Sequence, residues 1–149
     1  MKTRIYGWTM ANFNPPLTCQ LTTRYRLSAL HLLARPELSP EQNAQHFVHC
    51  GKLHGHEYGL EVTWEAEIDP RSGLCVQREK LNDLVEEKIL KVFHKQKLND
   101  IVSNTSGEFL AREFLTRLIR EERGHSVVQV ALQETHKNRF LCRKEDLEK

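Results

Sequence analysis

The sequence has no long apolar run. Even its N-terminal segment, MKTRIYGWTMANFNPP, is interrupted by Thr9, Asn12 and Asn14 before the prolines. A membrane span needs about 20 consecutive apolar residues and a signal peptide needs an unbroken apolar core, so neither is expected. The chain also lacks an excess of either charge: its formal net charge is +2, without a basic stripe that would bind nucleic acid. We therefore expect a cytoplasmic protein with neither a nucleic-acid nor a membrane partner.

Cysteine is scarce and never forms a CxxC pair. The four thiols lie in otherwise regular segments, at Cys19, Cys50, Cys75 and Cys142. This pattern indicates reduced thiols rather than a disulfide framework. The 149 residues, 39% hydrophobic and 28% charged, are typical of a single globular domain and exclude the disordered and fibrous classes. We expect one domain over residues 1–149, with residues 1–20 as a candidate N-terminal extension.

Alternation of apolar and polar residues predicts two strands that bring histidines to an inward face. The first strand starts at Thr18 and ends at His31, which has the parity of the apolar residues before it. The second strand covers residues 58–68. His54 and His56 come just before it and share the parity of its apolar residues.

Capping residues and helical spacing predict the helical part of the chain. In the long loop after the first strand, Ser39 is expected to cap a short helix. Apolar residues at helical spacing predict a helix over residues 81–94. Another helix begins near Thr105 or Ser106, either of which is a candidate cap, and stops before Gly124.

Two more strands complete the predicted fold. Val128, Val130 and Leu132 form an inward face, and Glu134 has their parity, so a carboxylate continues an apolar row. Residues 138–142 return as the second strand of a hairpin. The order of elements predicts an α+β layer, a four-stranded antiparallel sheet with two helices packed on one face. Such a sheet has two open edges, and pairing with other subunits would cover them.

The three inward histidines suggest a metal site. His54 and His56 point the same way from one strand, and Gly55 between them leaves room for a close approach. If the two strands are antiparallel neighbours, His31 completes the set. Three neutral imidazoles with one open position are the arrangement of a catalytic zinc ion. The alternative is that these histidines are only partly buried hydrogen-bonding groups.

Two other residues also leave alternatives open. Cys50 is either a small buried hydrophobic residue or, near a zinc ion and His49, a reactive thiolate. Glu134 is either a charge at the end of a strand or a buried functional carboxylate.

Several motifs, in order along the chain, add a resemblance to a known family. They are Ser28-Ala-Leu-His31, Cys50-Gly-Lys-Leu-His54-Gly-His56-Glu-Tyr58, Asp69-Pro-Arg-Ser-Gly73, Leu98-Asn99-Asp100, Asn104-Thr-Ser-Gly-Glu108-Phe-Leu-Ala111 and Glu134-Thr135. Over residues 24–143 the chain resembles the family of 6-pyruvoyl-tetrahydropterin and 6-carboxy-tetrahydropterin synthases. Several spaced motifs together are far more specific than any one of them.

The resemblance implies a tunnelling fold, or T-fold, in which subunits join their sheets into a trimeric barrel and two trimers stack. It implies that the three histidines bind zinc and that pterin sites lie between subunits of this homo-oligomer. It further implies that Cys50 is the proton-transfer base, that Glu134 holds the pterin, and that Thr105 and Ser106 contact the substrate. A carboxylate suits the anchoring role because it can accept two parallel hydrogen bonds from the pterin ring.

The resemblance also implies the substrate, 7,8-dihydroneopterin triphosphate, and two alternative outcomes. The 6-pyruvoyl branch eliminates triphosphate with an internal redox step, whereas the 6-carboxy branch also loses two carbons as acetaldehyde and serves queuosine synthesis. The spacing of Cys50 and His54 is that of the 6-carboxy branch, but the insertion at residues 38–43 resembles the 6-pyruvoyl branch. We take the 6-carboxy function first and the 6-pyruvoyl function as the alternative.

The chain departs from the family pattern at the proton relay. The family usually has Asp-His a few residues before Leu-Asn, and here His94 and Lys95 occupy those places. His94 is the candidate relay residue, with His46, His49 or Lys95 as substitutes. The alternative is that the pair is a positively charged helix end.

Further departures leave two other functions open. Gly107 stands where the family often has serine, and Thr105 where it often has proline. With an altered relay, the chain would be a pterin-binding protein that keeps zinc but has lost turnover. A third reading is a purely structural metal site.

Overall fold

The computed structural model describes residues 4–5, 8–9, 17–75, 78–121 and 126–147, and its centre is a sheet with helices on one face. The strands are β1 (Arg4–Ile5), β2 (Trp8–Thr9), β3 (Thr18–His31), β4 (His54–Glu67), β5 (Gln96–Lys97), β6 (Ser126–Thr135) and β7 (Asn138–Arg143). The helices are α1 (Pro40–His46), α2 (Arg78–Val85), α3 (Lys91–Phe93) and α4 (Gly107–Ile119). The main sheet has the order β5-β3-β4-β6-β7, and β1 and β2 form a separate hairpin.

The two longest strands, β3 and β4, pair antiparallel along their whole lengths. The register runs from Thr18 opposite Glu67 to His31 opposite His54, and both strands have 14 residues. Burial alternates along β3 and ends in three buried inward positions, Leu27, Ala29 and His31. The predicted inward face is therefore confirmed, and the ladder brings the end of one strand directly against the start of the other.

The sheet has five strands in the structure, where the sequence predicts four. The additional strand, β5, has only two residues and pairs parallel with the end of β3, where Ala29 lies opposite Gln96 and Leu30 opposite Lys97. A two-residue strand is too short to show a period in the sequence. The remaining neighbours in this sheet are antiparallel, so the α+β class is confirmed.

The inward face of β6 differs from the prediction at its first position. The register with β4 shifts between Thr63 and Trp64, so that Val127 lies opposite Trp64. This irregularity places Val127 in the core and leaves Val128 only partly buried. The prediction that Val128 faces inward is wrong because one extra residue in a strand reverses the parity of everything before it. Val130 and Leu132 are buried as predicted.

The helices begin where the caps predict. Ser39 caps α1 with a complete capping box and Pro40 at the first position, and Ser106 caps α4 by accepting a hydrogen bond from the amide of Phe109. The helix predicted over residues 81–94 spans α2, a π-helical turn at residues 86–90 and α3. The predicted stop before Gly124 lies outside the described residues, since α4 ends at Ile119 and residues 122–125 are not described.

One apolar core joins the helices to the inward sheet face. Its largest fully buried side chains include Trp64, Tyr58, Phe93 and Phe114, and the last two rings meet at 4.9 Å between centroids. None of the described helices is long and apolar enough to cross a membrane. Most of the candidate extension at residues 1–20 lies outside the described residues.

Candidate metal and pterin site

Three histidines meet where β3 ends and β4 begins. His31 and His54 are direct partners in the ladder, and His56 follows two residues later on the same face. The ring centroids are 4.6 Å apart for His31 and His54, 5.1 Å for His31 and His56, and 4.8 Å for His54 and His56. One ligand nitrogen from each lies within 4.8 Å of the others. Among the described residues, these three histidines form a group of histidine, cysteine or acidic side chains that lie close enough together to hold one metal ion.

Main-chain carbonyl groups fix the orientation of two of these rings. Nδ1 of His31 lies 2.9 Å from the carbonyl oxygen of Thr105, and Nδ1 of His54 lies 2.6 Å from that of Lys52. A carbonyl can only accept, so both Nδ1 atoms carry the proton and both Nε2 atoms are left with a lone pair when the rings are neutral. This is the usual arrangement of a metal-binding histidine, whose other nitrogen is held by a hydrogen bond.

The two free nitrogens face each other in a way that fits a metal. Nε2 of His31 and Nε2 of His54 are 3.1 Å apart. Two lone pairs at this distance repel unless a cation lies between them. A tetrahedral centre with metal–nitrogen distances of about 2.0–2.1 Å separates its ligand nitrogens by about 3.3 Å, close to what the structure shows. The donor set therefore fits zinc or a similar ion.

Burial favours the form of histidine that binds metal. His31 is 1% exposed, and burial is the largest cause that lowers its pKa below the usual value for histidine. Burial likewise lowers the pKa of the half-buried His56. Both rings are therefore biased toward the neutral state that coordinates metal. Tyr58, next along the same face, is buried with a hydroxyl that has no hydrogen-bond partner among the described residues, and burial raises its pKa.

Glu134 lies beside the histidines. Its Oε1 atom is 3.6 Å from Nε2 of His31 and 3.9 Å from Nε2 of His56. Its side chain is 15% exposed, and it comes from β6, the strand on the other side of β4. The carboxylate that continued an apolar row in the sequence thus projects toward the histidine cluster.

A set of polar contacts behind the cluster holds the chain that follows His31. The side chain of Asn99 accepts from the amide of Leu32 and donates to its carbonyl, at 3.0 Å and 2.9 Å. The hydroxyl of the buried Thr105 also donates to that carbonyl, at 2.9 Å. Thr105 therefore acts on His31 twice, through its own carbonyl and through Leu32. Sequence reasoning missed this supporting role, although Leu98-Asn99-Asp100 stood out as a motif.

Cys50 and Ser106 lie at the border of this region. Cys50 is exposed, and its carbonyl accepts a hydrogen bond from the amide of Leu33, two residues beyond His31. Its thiol does not belong to the group of three histidines. Ser106 is partly buried and its hydroxyl is engaged as the cap of α4.

His94 and Lys95 attach the end of α3 to β3. The main-chain amide of Ser28 donates to Nδ1 of His94 at 3.1 Å. Lys95 has a φ of 59°, a left-handed conformation, and its amide donates to the carbonyl of Ser28 at 2.6 Å. The structure therefore places His94 at the sheet edge, bound to β3, and not among the three histidines.

Taken together, a cluster of three histidines at the end of paired strands, a neighbouring carboxylate and an α+β layer define a protein with a candidate metal site. Comparison with known proteins is consistent with this class. The family model for 6-pyruvoyl tetrahydropterin synthase matches residues 20–145. The chain belongs to this family.

Individual relatives agree with the family. A 6-pyruvoyl tetrahydrobiopterin synthase of Drosophila melanogaster is 36% identical over 84 residues, covering 54% of this chain and 50% of the relative. The Homo sapiens protein of the same name is 34% identical over 95 residues, covering 58% and 66%. These alignments thus span half to about two thirds of the relatives' lengths. The solved Caenorhabditis elegans 6-pyruvoyl tetrahydropterin synthase has a TM-score of 0.77 at 24% identity, covering 86% of this chain and 96% of that one, and it confirms the T-fold.

Proposed function

We propose that this chain is a zinc-dependent lyase that acts on 7,8-dihydroneopterin triphosphate and forms the 6-pyruvoyl product. The observation that carries the proposal is the convergence of His31, His54 and His56, with Glu134 beside them. It is supported by the family match and by the names of the relatives, which favour the 6-pyruvoyl alternative over the 6-carboxy function that the sequence puts first.

The histidines would hold the zinc ion, with the Thr105 and Lys52 carbonyls keeping two of the rings in the binding orientation. A bound zinc ion supplies a positive charge that polarises oxygens of the substrate side chain. Ser106, at the start of α4, is the proposed substrate contact. The expectation that Thr105 also contacts the substrate is replaced by a supporting role, because Thr105 is buried and its carbonyl and hydroxyl hold His31 and Leu32. The reaction class requires removal of a proton from the carbon beside those oxygens.

Glu134 is the proposed pterin anchor. Its carboxylate can accept two parallel hydrogen bonds from the ring N–H and the exocyclic amine of the pterin, which fixes both position and orientation. A pterin held there would lie against the histidine cluster, since the carboxylate is 3.6 Å from the nearest ring nitrogen. In this proposal the side chain of a bound pterin would lie next to the three histidines.

Cys50 is the proposed base, with His94 as the relay residue. The Cys50 thiol is exposed, which permits access to a bound substrate but does not itself desolvate the base. Assembly of subunits would enclose this surface. We propose a homo-oligomer, a trimer or a dimer of trimers, in which the outer strands β5 and β7 pair with neighbouring sheets.

Two other functions are kept because specific residues favour them. The Cys50-to-His54 spacing favours the 6-carboxy product. The His94-Lys95 pair, in place of Asp-His, favours a protein that binds zinc and pterin without turnover. All three functions require the same metal site and anchor, so they differ in the product and not in binding.

The test is to incubate the zinc-loaded protein with 7,8-dihydroneopterin triphosphate and identify the products by mass spectrometry. We expect triphosphate and 6-pyruvoyl-tetrahydropterin. Cys50→Ala should keep zinc and bind pterin but lose at least about 100-fold in turnover, as expected for loss of proton transfer. Cys142→Ala, at a partly buried thiol on β7, is the matched control and should stay active.

The outcomes separate the candidates. Acetaldehyde and 6-carboxy-tetrahydropterin would replace the proposed branch with the other one. Unchanged substrate together with tight pterin binding would leave the binding function alone. A Cys50→Ala protein with full activity would remove Cys50 from the mechanism.

A further inference from the structure

The turn between β6 and β7 places one amide side chain against the candidate pterin anchor. Oδ1 of Asn138 accepts hydrogen bonds from the amide and the hydroxyl of Thr135, at 2.9 Å and 2.5 Å. Nδ2 of Asn138 donates to Oε2 of Glu134 at 2.9 Å. Two donors on one side fix which end of the amide is oxygen, so the nitrogen must face the carboxylate.

This contact determines how the Glu134 carboxylate is presented. A glutamate side chain turns easily about its last bond, and its terminal torsion has a broad distribution. The hydrogen bond from Asn138 holds Oε2, and the other oxygen then points at the histidines, 3.6 Å from Nε2 of His31 and 3.9 Å from Nε2 of His56. The carboxylate plane is thereby set relative to the metal site.

We propose that Asn138 is a positioning residue for ligand binding: it holds the Glu134 carboxylate in the plane in which it accepts the two N–H groups of a pterin. This inference rests on the proposed function, in which Glu134 is the anchor. The contact does not block the anchor, because each carboxylate oxygen has two lone pairs and Oε2 can accept from Asn138 and from the pterin together.

Asparagine suits this place because both ends of its amide are used. An aspartate would still accept from Thr135 but would oppose Glu134 with a second carboxylate. An alanine would lose all three hydrogen bonds, two at Oδ1 and one at Nδ2. The two substitutions therefore separate the turn from the anchor: Asn138→Asp keeps the acceptor that closes the turn, and Asn138→Ala removes it.

The experiment measures binding of neopterin, a pterin probe without the triphosphate, by fluorescence titration of the zinc-loaded protein. We expect the dissociation constant to rise about 10-fold in both Asn138→Asp and Asn138→Ala, which is the loss expected for one hydrogen bond to a charged group. With 7,8-dihydroneopterin triphosphate, KM should rise more than kcat falls. Zinc content should stay the same in both variants.

Thr135→Ala is the matched control. It removes two contacts within the turn, in which the Thr135 hydroxyl donates to Asn138 and accepts from the amide of Lys137. It leaves the Asn138 donor on Glu134, so its neopterin affinity should stay within about twofold of the wild type. Melting temperatures show how much each change costs the fold. If Asn138→Asp binds neopterin with wild-type affinity, the inference is overturned but the proposed function is not. The same holds if Thr135→Ala loses as much neopterin affinity as the Asn138 variants do. A wild-type protein that neither binds neopterin nor converts the triphosphate would overturn the proposed function and this inference with it.

Discussion

Replacing Gly107 with serine tests how the start of α4 is packed. A Cβ atom at this position would lie 2.0 Å from Cε2, 2.2 Å from Cδ2 and 2.7 Å from Cζ of Phe140. Each separation is far shorter than a carbon–carbon contact, so the ring of Phe140 must move if any side chain is added. This clash explains why glycine occupies position 107 next to the large ring of Phe140 on β7.

The magnitude follows from two opposing effects. Forcing the ring of Phe140 out of place is overpacking, which costs about 1–3 kcal/mol. Replacing glycine by serine within a helix contributes about 0.5 kcal/mol of stability in the other direction. We expect Gly107→Ser to lower the free energy of unfolding by about 0.5–2.5 kcal/mol. At a urea slope of about 2 kcal/mol/M, this moves the urea midpoint of the metal-free protein down by about 0.3–1.2 M.

The cause is tested by a second substitution. Phe140→Val keeps a residue suited to a strand but removes the ring. In that variant, Gly107→Ser should therefore lower the free energy of unfolding only slightly. The coupling between the two changes should be at least about 1 kcal/mol. Gly59→Ser is the control, because its Cβ would lie 3.6 Å from the nearest atom, an ordinary contact. An unchanged midpoint in Gly107→Ser, or the same penalty with and without the ring, would refute the packing argument.

Three other predictions concern the metal site and the thiols. His54→Ala should lower zinc affinity by more than about 100-fold, measured by competition with a chelator, since even changes behind a ligand cost 10–100-fold. In the metal-free protein, burial lowers the pKa of His31 and His56, so the unfolded chain binds protons more readily. The free energy of unfolding, measured in urea, should therefore be highest above about pH 6.5 and should decrease as the pH falls toward the lowered pKa values of the folded protein. A free energy of unfolding that does not change with pH would contradict this. Oxidised glutathione should join Cys19 to Cys75, whose sulfur atoms are 3.1 Å apart, and peptide mapping without reductant would show whether that cross-link forms.

The fold was predictable where burial alternates regularly from residue to residue or where a capping residue marks the start of a helix. The alternation in β3 identified its inward face, and Ser39 and Ser106 cap helices as expected. The predictions failed where the structure produces no regular alternation of apolar and polar residues in the sequence. The shift opposite Thr63 exchanged Val127 for Val128, and a strand of two residues has no period at all.

The candidate site was predictable in its side chains but not in its support. Residues of equal parity on paired strands must share a face, which is why the sequence predicts the cluster of three histidines. The carbonyl groups of Thr105 and Lys52 that orient their rings belong to the main chain, which every residue carries. Such contacts have no residue-specific signal. The close approach of Cys19 and Cys75 was also missed, since the two are far apart in sequence and form no motif.

The contacts of His94 allow a sharper test of its proposed role in proton transfer than removal of the side chain. Its Nδ1 accepts from the Ser28 amide, so the neutral ring carries its proton on Nε2, the atom left for proton exchange. His94→Ala removes both the hydrogen-bond acceptor and the imidazole ring and should cost about 1 kcal/mol of stability. His94→Asn can keep the acceptor through its side-chain oxygen but has no ring nitrogen to transfer a proton. If His94 transfers protons, turnover must fall by a similar factor in both variants while only His94→Ala lowers the urea midpoint, and that is the result we expect. Full turnover in His94→Asn would show instead that the histidine holds the sheet edge, where its Nδ1 accepts from the Ser28 amide and the Lys95 amide donates to the Ser28 carbonyl.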